Sequence, residues 1–489
     1  MKNPALLHLL GWAIATLAVA MLTVTGIAAG YGESRAVATF MVSALIAGFL
    51  AGGLLWGFRG RSAPITREQS MVLLILLWTI LPLCAAIPFY VGLKDTGFLI
   101  SVFEATSGLT TTGTTLFQEI NDLPRAMVFW RALLQWLGGG LNLLAVVLIL
   151  SPSRMSGLTG PNLSPLSQIE HHDMTRRVLI ACRTILPVYG ILTLICIFLL
   201  WVSGVPEFDA LSLGLSTIST GGFMPRDGTV AQYGAPMAEF VLVVFMVLGA
   251  MSFLVHRAQI TGIGSGHQRY AESRFFLVII LFTTLVLSLL VWGGDDFAVK
   301  MLPDALRTGL FRAISLATTT GFDNAPASAV IVIPFAMVLM VTIIGGCAYS
   351  TAGGIKTFRF AMMLNQSRRE LARLMHPHSV TTVRSAEGML NPRAMTPIWV
   401  LFAVYVSFAV VLSVILAFDG LSLEASVLAA AGALSNAGPA VDFGVAGGVS
   451  ADMTGVSALS LVAYTVAMVL GRLEMLAALS LVTTRLWRV

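Results

Sequence analysis

Thr110-Thr111-Thr112-Gly113, Ile218-Ser219-Thr220-Gly221-Gly222, Thr318-Thr319-Thr320-Gly321 and Ser435-Asn436-Ala437-Gly438-Pro439 are four hydroxyl- and glycine-rich stretches in an otherwise apolar chain. Each ends a short run, residues 97–109, 206–218, 303–318 and 421–435, that is too brief to cross a bilayer, for which about 20 helical residues are needed. Longer apolar runs flank each short one. Non-helical backbone at membrane depth is tolerated only where protein buries it or where it lines a watery path. The central glycines Gly113, Gly221, Gly321 and Gly438 recur roughly 100 to 120 residues apart, which is the spacing of a repeated unit. The expected order in each unit is a spanning helix, a re-entrant helix, a Thr/Ser/Gly segment and a second spanning helix.

Composition sets the solvent. Of 489 residues, 57% are hydrophobic and 11% charged, and the mean hydropathy is +0.87. Such a chain belongs in lipid, and its runs are apolar on all sides, which excludes the alternating pattern of a membrane barrel. The expected fold is therefore an all-α polytopic membrane protein, with two leading helices (residues 1–68) and four units (69–176, 177–272, 273–395 and 396–489) around one centre. The first apolar run is longer than a signal-peptide core and is read as a spanning helix.

Arginines alternate with topology: Arg59, Arg61 and Arg67, then Arg154, Arg176 and Arg177, then Arg257, Arg269 and Arg274, then the connection 356–393, then Arg485 and Arg488. By the positive-inside rule these connections and both termini are cytoplasmic. The opposite face carries Asp95, Glu119, Asp122, Glu207, Asp209, Asp227, Asp295, Asp296, Asp304, Asp323, Asp419, Glu424 and Asp442, a distribution expected to concentrate cations at that mouth. No basic, aromatic-laced segment points to nucleic acid.

The four stretches suit a weakly hydrated monovalent cation. Glycine reaches φ > 0, so that successive carbonyls turn toward one axis, and small hydroxyl side chains leave room behind them. Four short helices aimed inward would each add about half a negative charge at their C-termini. The lining candidates are Thr111, Thr112 and Gly113; Ser219, Thr220 and Gly221; Thr319, Thr320 and Gly321; and Asn436, Ala437 and Gly438. Proline-acid pairs at Pro206-Glu207 and Pro303-Asp304, and Ser422 before Glu424, mark the outer ends of three of the short helices.

Residues 344–354 break an apolar run with glycines and small side chains, the signature of a flexible constriction. Its candidate residues are Gly345, Gly346, Ala348, Ser350, Thr351, Gly353 and Gly354, with Lys356 just beyond. Arg472 lies inside residues 461–482, where a charge is costly and usually functional; it is expected to face the central path and raise a barrier to cations. Glu474, two residues on, faces elsewhere. Arg131 and Arg312 are expected to snorkel or to brace the short helices.

Other motifs carry less. Cys84, Cys182, Cys196 and Cys347 have no metal-ligand spacing. Glu170-His171-His172-Asp173 reads as a solvated loop. Gly354-Ile355-Lys356-Thr357 lacks phosphate-loop spacing, so no ATP-hydrolysing site or bound organic cofactor is expected in the chain. An intramembrane enzyme would need a convergent nucleophile, base or metal set, and none is evident.

At these residues the chain resembles the Trk/Ktr/HKT superfamily of potassium transporters, specifically its bacterial TrkH branch. The resemblance covers nearly the whole chain and rests on the four stretches together with Gln135-Trp136-Leu137-Gly138-Gly139-Gly140, the segment from Gly345-Gly346-Cys347-Ala348 through Lys356, and Gly471-Arg472-Leu473-Glu474. It implies K⁺ as the transported ion, a filter at the four stretches, occlusion by the loop beneath it, a bacterial inner-membrane location and a homodimer surrounded by lipid. It also implies a cytosolic nucleotide-binding regulatory ring of the TrkA type, with residues 356–393 as a docking surface. Departures occur at Ser219 and at Asn436-Ala437-Gly438-Pro439-Ala440. A coupled K⁺/H⁺ or K⁺/Na⁺ symporter on the same scaffold is the rival reading; it needs a titratable relay, and none is evident in the sequence.

Overall fold

A computed structural model describes residues 4–60, 65, 67–94, 96–146, 174–261, 267–293, 302–325, 333–376, 384–385, 388–389, 392–439, 443 and 453–473. Seventeen α-helices carry them: α1 Pro4–Gly30, α2 Ser34–Gly57, α3 Arg67–Ala85, α4 Ile87–Gly92, α5 Phe98–Leu109, α6 Arg125–Ala145, α7 Met174–Val202, α8 Glu207–Ile218, α9 Pro236–Ala250, α10 Phe253–Thr261, α11 His267–Trp292, α12 Leu302–Ala317, α13 Phe335–Ile344, α14 Thr357–Met375, α15 Pro392–Phe418, α16 Leu423–Ser435 and α17 Ala458–Arg472. Among the described residues the only strands form a two-residue hairpin, Arg384–Ser385 against Gly388–Met389. The all-α polytopic membrane architecture expected from the sequence is the one observed.

Six helical stretches are long and apolar enough to cross a membrane, and a bent pair makes a seventh candidate, all among the described residues. α1 and α2 pack side by side. Gly11 permits this closeness, since a Cβ there would lie 3.0 Å from Leu54 and 3.2 Å from Leu55. Their outer faces suit lipid: Phe49 is 82% and Trp56 86% exposed.

The four short helices α5, α8, α12 and α16 lie inside this shell. α5 touches α3, α6 and α17; α8 touches α6, α7 and α9; α12 touches α9, α11 and α13; α16 touches α13, α15 and α17. Burial rises along each of them, and the last seven residues of α5, α8, α12 and α16 are all buried. Their C-termini therefore point into the protein, as the sequence predicted. Ser422 caps α16, accepting from the Ala425 amide at 3.2 Å.

Two long elements are broken, one where no residue pattern marked it and one at the glycine-rich run 344–354 expected to interrupt its helix. α9 and α10 meet at 99° around Met251 and Ser252. α13 stops at Gly345, and the chain returns to helix only at Thr357. These two breaks are bonded to each other: the Cys347 amide donates to the Ala250 carbonyl at 2.9 Å, and the Phe253 amide to the Tyr349 carbonyl at 3.0 Å. Backbone groups freed by one break thus satisfy those freed by the other.

Candidate ion filter and gate

All four short helices end in the same way. Each has a left-handed residue at its end: Thr111 (φ 52°), Thr220 (51°), Thr319 (59°) and Asn436 (50°), the last being itself the cap of α16. The amide after it reaches back five residues, from Thr112 to Ser107 at 2.9 Å, Gly221 to Ser216 at 2.9 Å, Thr320 to Ser315 at 3.0 Å and Ala437 to Gly432 at 2.9 Å. This is Schellman closure, usually built on glycine. A β-branched threonine at positive φ costs on the order of 1–3 kcal/mol, and three such residues at equivalent positions mark strain held by the surroundings.

This register corrects one expectation. Gly221 was set level with Gly113, yet its amide bond places it level with Thr112 and Thr320. The residue equivalent to Gly113 (φ 84°) and Gly321 (φ 87°) is Gly222 (φ 83°), while Gly438 does not share that conformation. A Gly-Gly doublet offers two registers to a sequence reading, and only the hydrogen bonds choose between them.

The four stretches meet. A Cβ on Gly113 would collide with the Gly221 carbonyl and lie 3.1 Å from Pro439, and one on Gly222 would collide with the Thr320 carbonyl. The Gly438 amide donates to the Thr112 carbonyl at 2.7 Å. The structure thus brings Thr111, Thr112 and Gly113, Ser219, Thr220 and Gly221, Thr319, Thr320 and Gly321, and Asn436, Ala437 and Gly438 into one buried cluster. Threonine hydroxyls pair within stretches, Thr110 with Thr112 at 2.7 Å and Thr318 with Thr320 at 2.8 Å. That removes polar side-chain groups from competition and leaves backbone carbonyls as the main acceptors.

The Gln135–Gly140 motif acts from behind. Gln135 Nε2 donates to the Gly221 carbonyl at 2.7 Å, while its Oε1 accepts from Ser216 Oγ at 2.7 Å and from the Phe223 amide at 3.3 Å. A Cβ on Gly138 would strike the Leu109 carbonyl; one on Gly139 would lie 2.7 Å from the Tyr189 hydroxyl. Gly249 and Gly471 stand in the same relation to the carbonyls of Ile218 and Leu434. Glycine lets each long helix seat directly on a short-helix C-terminus.

Beneath the cluster lie the loop and Arg472. Thr351 Oγ1 donates to the carbonyls of Ile218 (2.9 Å) and Gly249 (3.0 Å), Gly353 N to Thr319 Oγ1 (2.8 Å), and Gly354 N to the Ser435 carbonyl (3.0 Å). Gly346 leaves no room for a Cβ beside Ala352, and Ser350 Oγ donates to the Cys347 carbonyl at 2.6 Å. The Ala348 amide donates to Glu272 Oε1 at 2.6 Å, an anchor the sequence reading missed. Thr357 Oγ1 closes the loop onto the Gly345 carbonyl at 2.9 Å, and the Lys356 ammonium donates to the Ala352 carbonyl.

Arg472 is 4% exposed. Its guanidinium donates to the Thr110 carbonyl, to the Thr111 hydroxyl and, from Nη1, to the Thr351 carbonyl at 2.9 Å. Thr110 caps the C-terminus of α5, so the arginine occupies the negative end of a helix dipole, the position a cation in the central path would favour. Glu474 lies outside the described residues.

The acids expected at an outer mouth are less available than their number suggested. Asp209 pairs with Arg226 at 2.6 Å and Asp323 with Arg312 at 2.7 Å, while Asp227 accepts from the amides of Ile120 (2.8 Å) and Asn121 (3.1 Å). Asp419 accepts from the Ser457 amide at 2.9 Å. Arg131 braces α5 through Glu104 at 2.7 Å, as one of the two expected roles had it. Cys84, Cys196 and Cys347 are buried and free, and no group of three metal-ligating side chains occurs among the described residues. Arg154, the Glu170–Asp173 motif, Asp95, Asp295, Asp296, Ala440, Asp442, Arg485 and Arg488 lie outside them.

Comparison with known proteins follows the same outline. Residues 36–486 match the family model TrkH, described as cation transport protein. The chain is 30% identical over 463 residues to the Trk system potassium uptake protein TrkH of Salmonella typhimurium, covering 94% of this chain and 93% of that protein. It is 27% identical to the Trk system potassium uptake protein TrkG of Escherichia coli over 98% of each. The crystal structure of the potassium transporter TrkH from Vibrio parahaemolyticus superposes with a TM-score of 0.87 at 27% identity, over the full length of both chains.

Proposed function

Starting from a chain that belongs to the TrkH family of cation transport proteins, a multi-pass membrane transporter and not an enzyme, we propose that it takes up K⁺ through a filter of backbone carbonyls at the four short-helix ends. The observation that carries this reading is the repeated left-handed closure at Thr111, Thr220, Thr319 and Asn436, which turns four carbonyl-rich segments toward one cluster. K⁺ sheds water onto carbonyls of Gly113, Gly222, Thr320, Gly321, Ala437 and Gly438, with the four helix C-termini supplying negative potential. The full candidate set from Thr111 to Gly438 named above forms the filter wall, and the four units 69–176, 177–272, 273–395 and 396–489 form its quadrants.

The loop from Gly345 to Gly354, with Lys356 and Arg472, is the gate. Arg472 holds the site beneath filter one, and its charge repels an entering cation until the loop is drawn aside. The membrane potential supplies about 2.3 kcal/mol per charge per 100 mV, enough to drive inward flow.

The arginine-bearing side is cytoplasmic in this reading, both termini included, and the membrane is the bacterial inner membrane. The Trk system relatives support an assembly: a homodimer carrying a cytosolic nucleotide-binding subunit of the TrkA type. Arg368 and Arg373, exposed on α14, lie in its docking surface.

The test is rubidium flux into proteoliposomes under an imposed voltage, without H⁺ or Na⁺ gradients. Sustained, K⁺-competed flux is expected. Strict dependence on a second gradient would replace the channel by the symporter on this scaffold.

A further inference from the structure

Two polar clamps close across filters one and three at identical registers. Seven residues before the left-handed residue stands Glu104 in α5 and Arg312 in α12; four residues after it stands Thr115 and Asp323. Thr115 Oγ1 donates to both Glu104 oxygens, at 3.0 and 3.1 Å, and the Leu116 amide follows at 3.3 Å. In the third unit Arg312 Nε and Nη2 donate to the two Asp323 oxygens at 2.8 and 2.7 Å, and Asp323 Oδ1 also accepts from the Ala325 amide at 3.1 Å. The chemistry differs, acid on the helix in one and base in the other. The geometry is the same.

Each clamp also reaches a neighbouring wall. Arg131 pairs with Glu104 at 2.7 Å and lies 4.1 Å from the ring centre of Phe223, the residue after Gly222. The Asp323 carbonyl accepts from the Val230 amide of the second unit at 2.9 Å, and Arg312 lies 5.2 Å from the ring centre of Phe443. At the corresponding registers unit two has Leu213 and Met224, and unit four has Ala429 and Ala440. Unit two places its ion pair elsewhere, between Asp209 of α8 and Arg226, and unit four ends α16 with no charge at these registers, so charge at this register is not needed for that closure. Burying charges is expensive, and an apolar pair commonly gives equal or greater stability. Glu104 and Arg131 are 0% and 1% exposed, which makes the cost large and a geometric role the better account.

We propose that Glu104 with Thr115, and Arg312 with Asp323, are positioning residues for ion selection, fixing the outer ends of filters one and three so that these two walls set the carbonyl spacing. The proposal rests on the filter reading above. Filters two and four are held from the side instead, by Gln135 on Gly221 and by the Gly438 amide on Thr112, and follow unit one.

The experiment compares Glu104→Gln, Asp323→Asn, Thr115→Val and Gly113→Ser for sodium competition with rubidium uptake, alongside folded yield and maximal flux. Loss of a charge-assisted hydrogen bond is expected to weaken K⁺ over Na⁺ discrimination by about tenfold in Glu104→Gln and Asp323→Asn, and by a smaller factor in Thr115→Val, with flux retained. Thr115→Val leaves the buried ion pair intact and tests unit one should Glu104→Gln not fold. Unchanged discrimination in folded clamp variants, with Gly113→Ser altered, overturns the clamps and leaves the filter standing. Unchanged discrimination in Gly113→Ser as well overturns both.

Discussion

Arg472 at the end of α17 donates from Nη1 to the carbonyl of Thr351 at 2.9 Å, which makes the arginine and the loop between α13 and α14 one bonded body beneath the filters. The same guanidinium bonds Thr110 and Thr111. Removing it frees the loop from filter one and deletes a positive charge from the path. Arg472→Ala is expected to raise basal rubidium flux by about tenfold, each factor of ten corresponding to roughly 1.4 kcal/mol of barrier. Equal or lower flux at normal folded yield would count against the barrier role.

Gly113 has φ 84° and faces the Gly221 carbonyl where a Cβ would sit. Serine there is strained by on the order of 1–3 kcal/mol and pushes on the carbonyl of the adjoining filter. Gly113→Ser is therefore expected to relax discrimination against sodium by about tenfold. Sodium competition in uptake assays reads this directly, and an unchanged ratio would remove Gly113 from the filter.

Helix glycines separate into two kinds. Gly138 has the Leu109 carbonyl where a Cβ would go, whereas Gly190 in α7 has open space. Gly138→Ala should destabilise the protein by about 1–3 kcal/mol through overpacking, while Gly190→Ala should be neutral or stabilising by up to about 1 kcal/mol through helix propensity. Thermal midpoints in detergent distinguish them; equal shifts would show that α6 does not seat on α5 as described.

Asp419, just beyond α15, lies beside the Ser460 hydroxyl and accepts hydrogen bonds from the Ser457 amide and hydroxyl at 2.9 and 2.8 Å, which together hold its carboxyl below the usual carboxylate range. A depressed folded value means the contribution is present above the unfolded pKa of about 4 and is lost as pH falls through the folded one. Asp419→Ala should thus lower the thermal midpoint at pH 7 and have less effect as pH falls below about 4. A pH-independent difference would contradict this.

The spanning and short helices were legible because period and length are written in the composition itself. The short run 97–109 is realised as Phe98–Leu109 and 206–218 as Glu207–Ile218. What stayed hidden depends on tertiary company. Threonine disfavours positive φ, so nothing local marks Thr111, Thr220 or Thr319 as left-handed; their conformation is imposed by packing and by partners such as the Gly353 amide on Thr319. The register of Gly221 and Gly222 was likewise a matter of one hydrogen bond. Asp209 and Asp323 look like free surface charge in sequence, and their pairing with Arg226 and Arg312 appears only in space. Glu272 and Ala348 are far apart in the chain, so this anchor of the loop had no sequence signal.

The central claim, that four carbonyl segments bind the transported ion, is tested most directly by anomalous diffraction from crystals grown in rubidium. Ion density is expected within the cluster enclosed by Gly113, Gly222, Gly321 and Gly438, displaced by excess K⁺ but not by Na⁺. Rubidium found only elsewhere, with that cluster free of density in a folded, transport-competent protein, would contradict the filter.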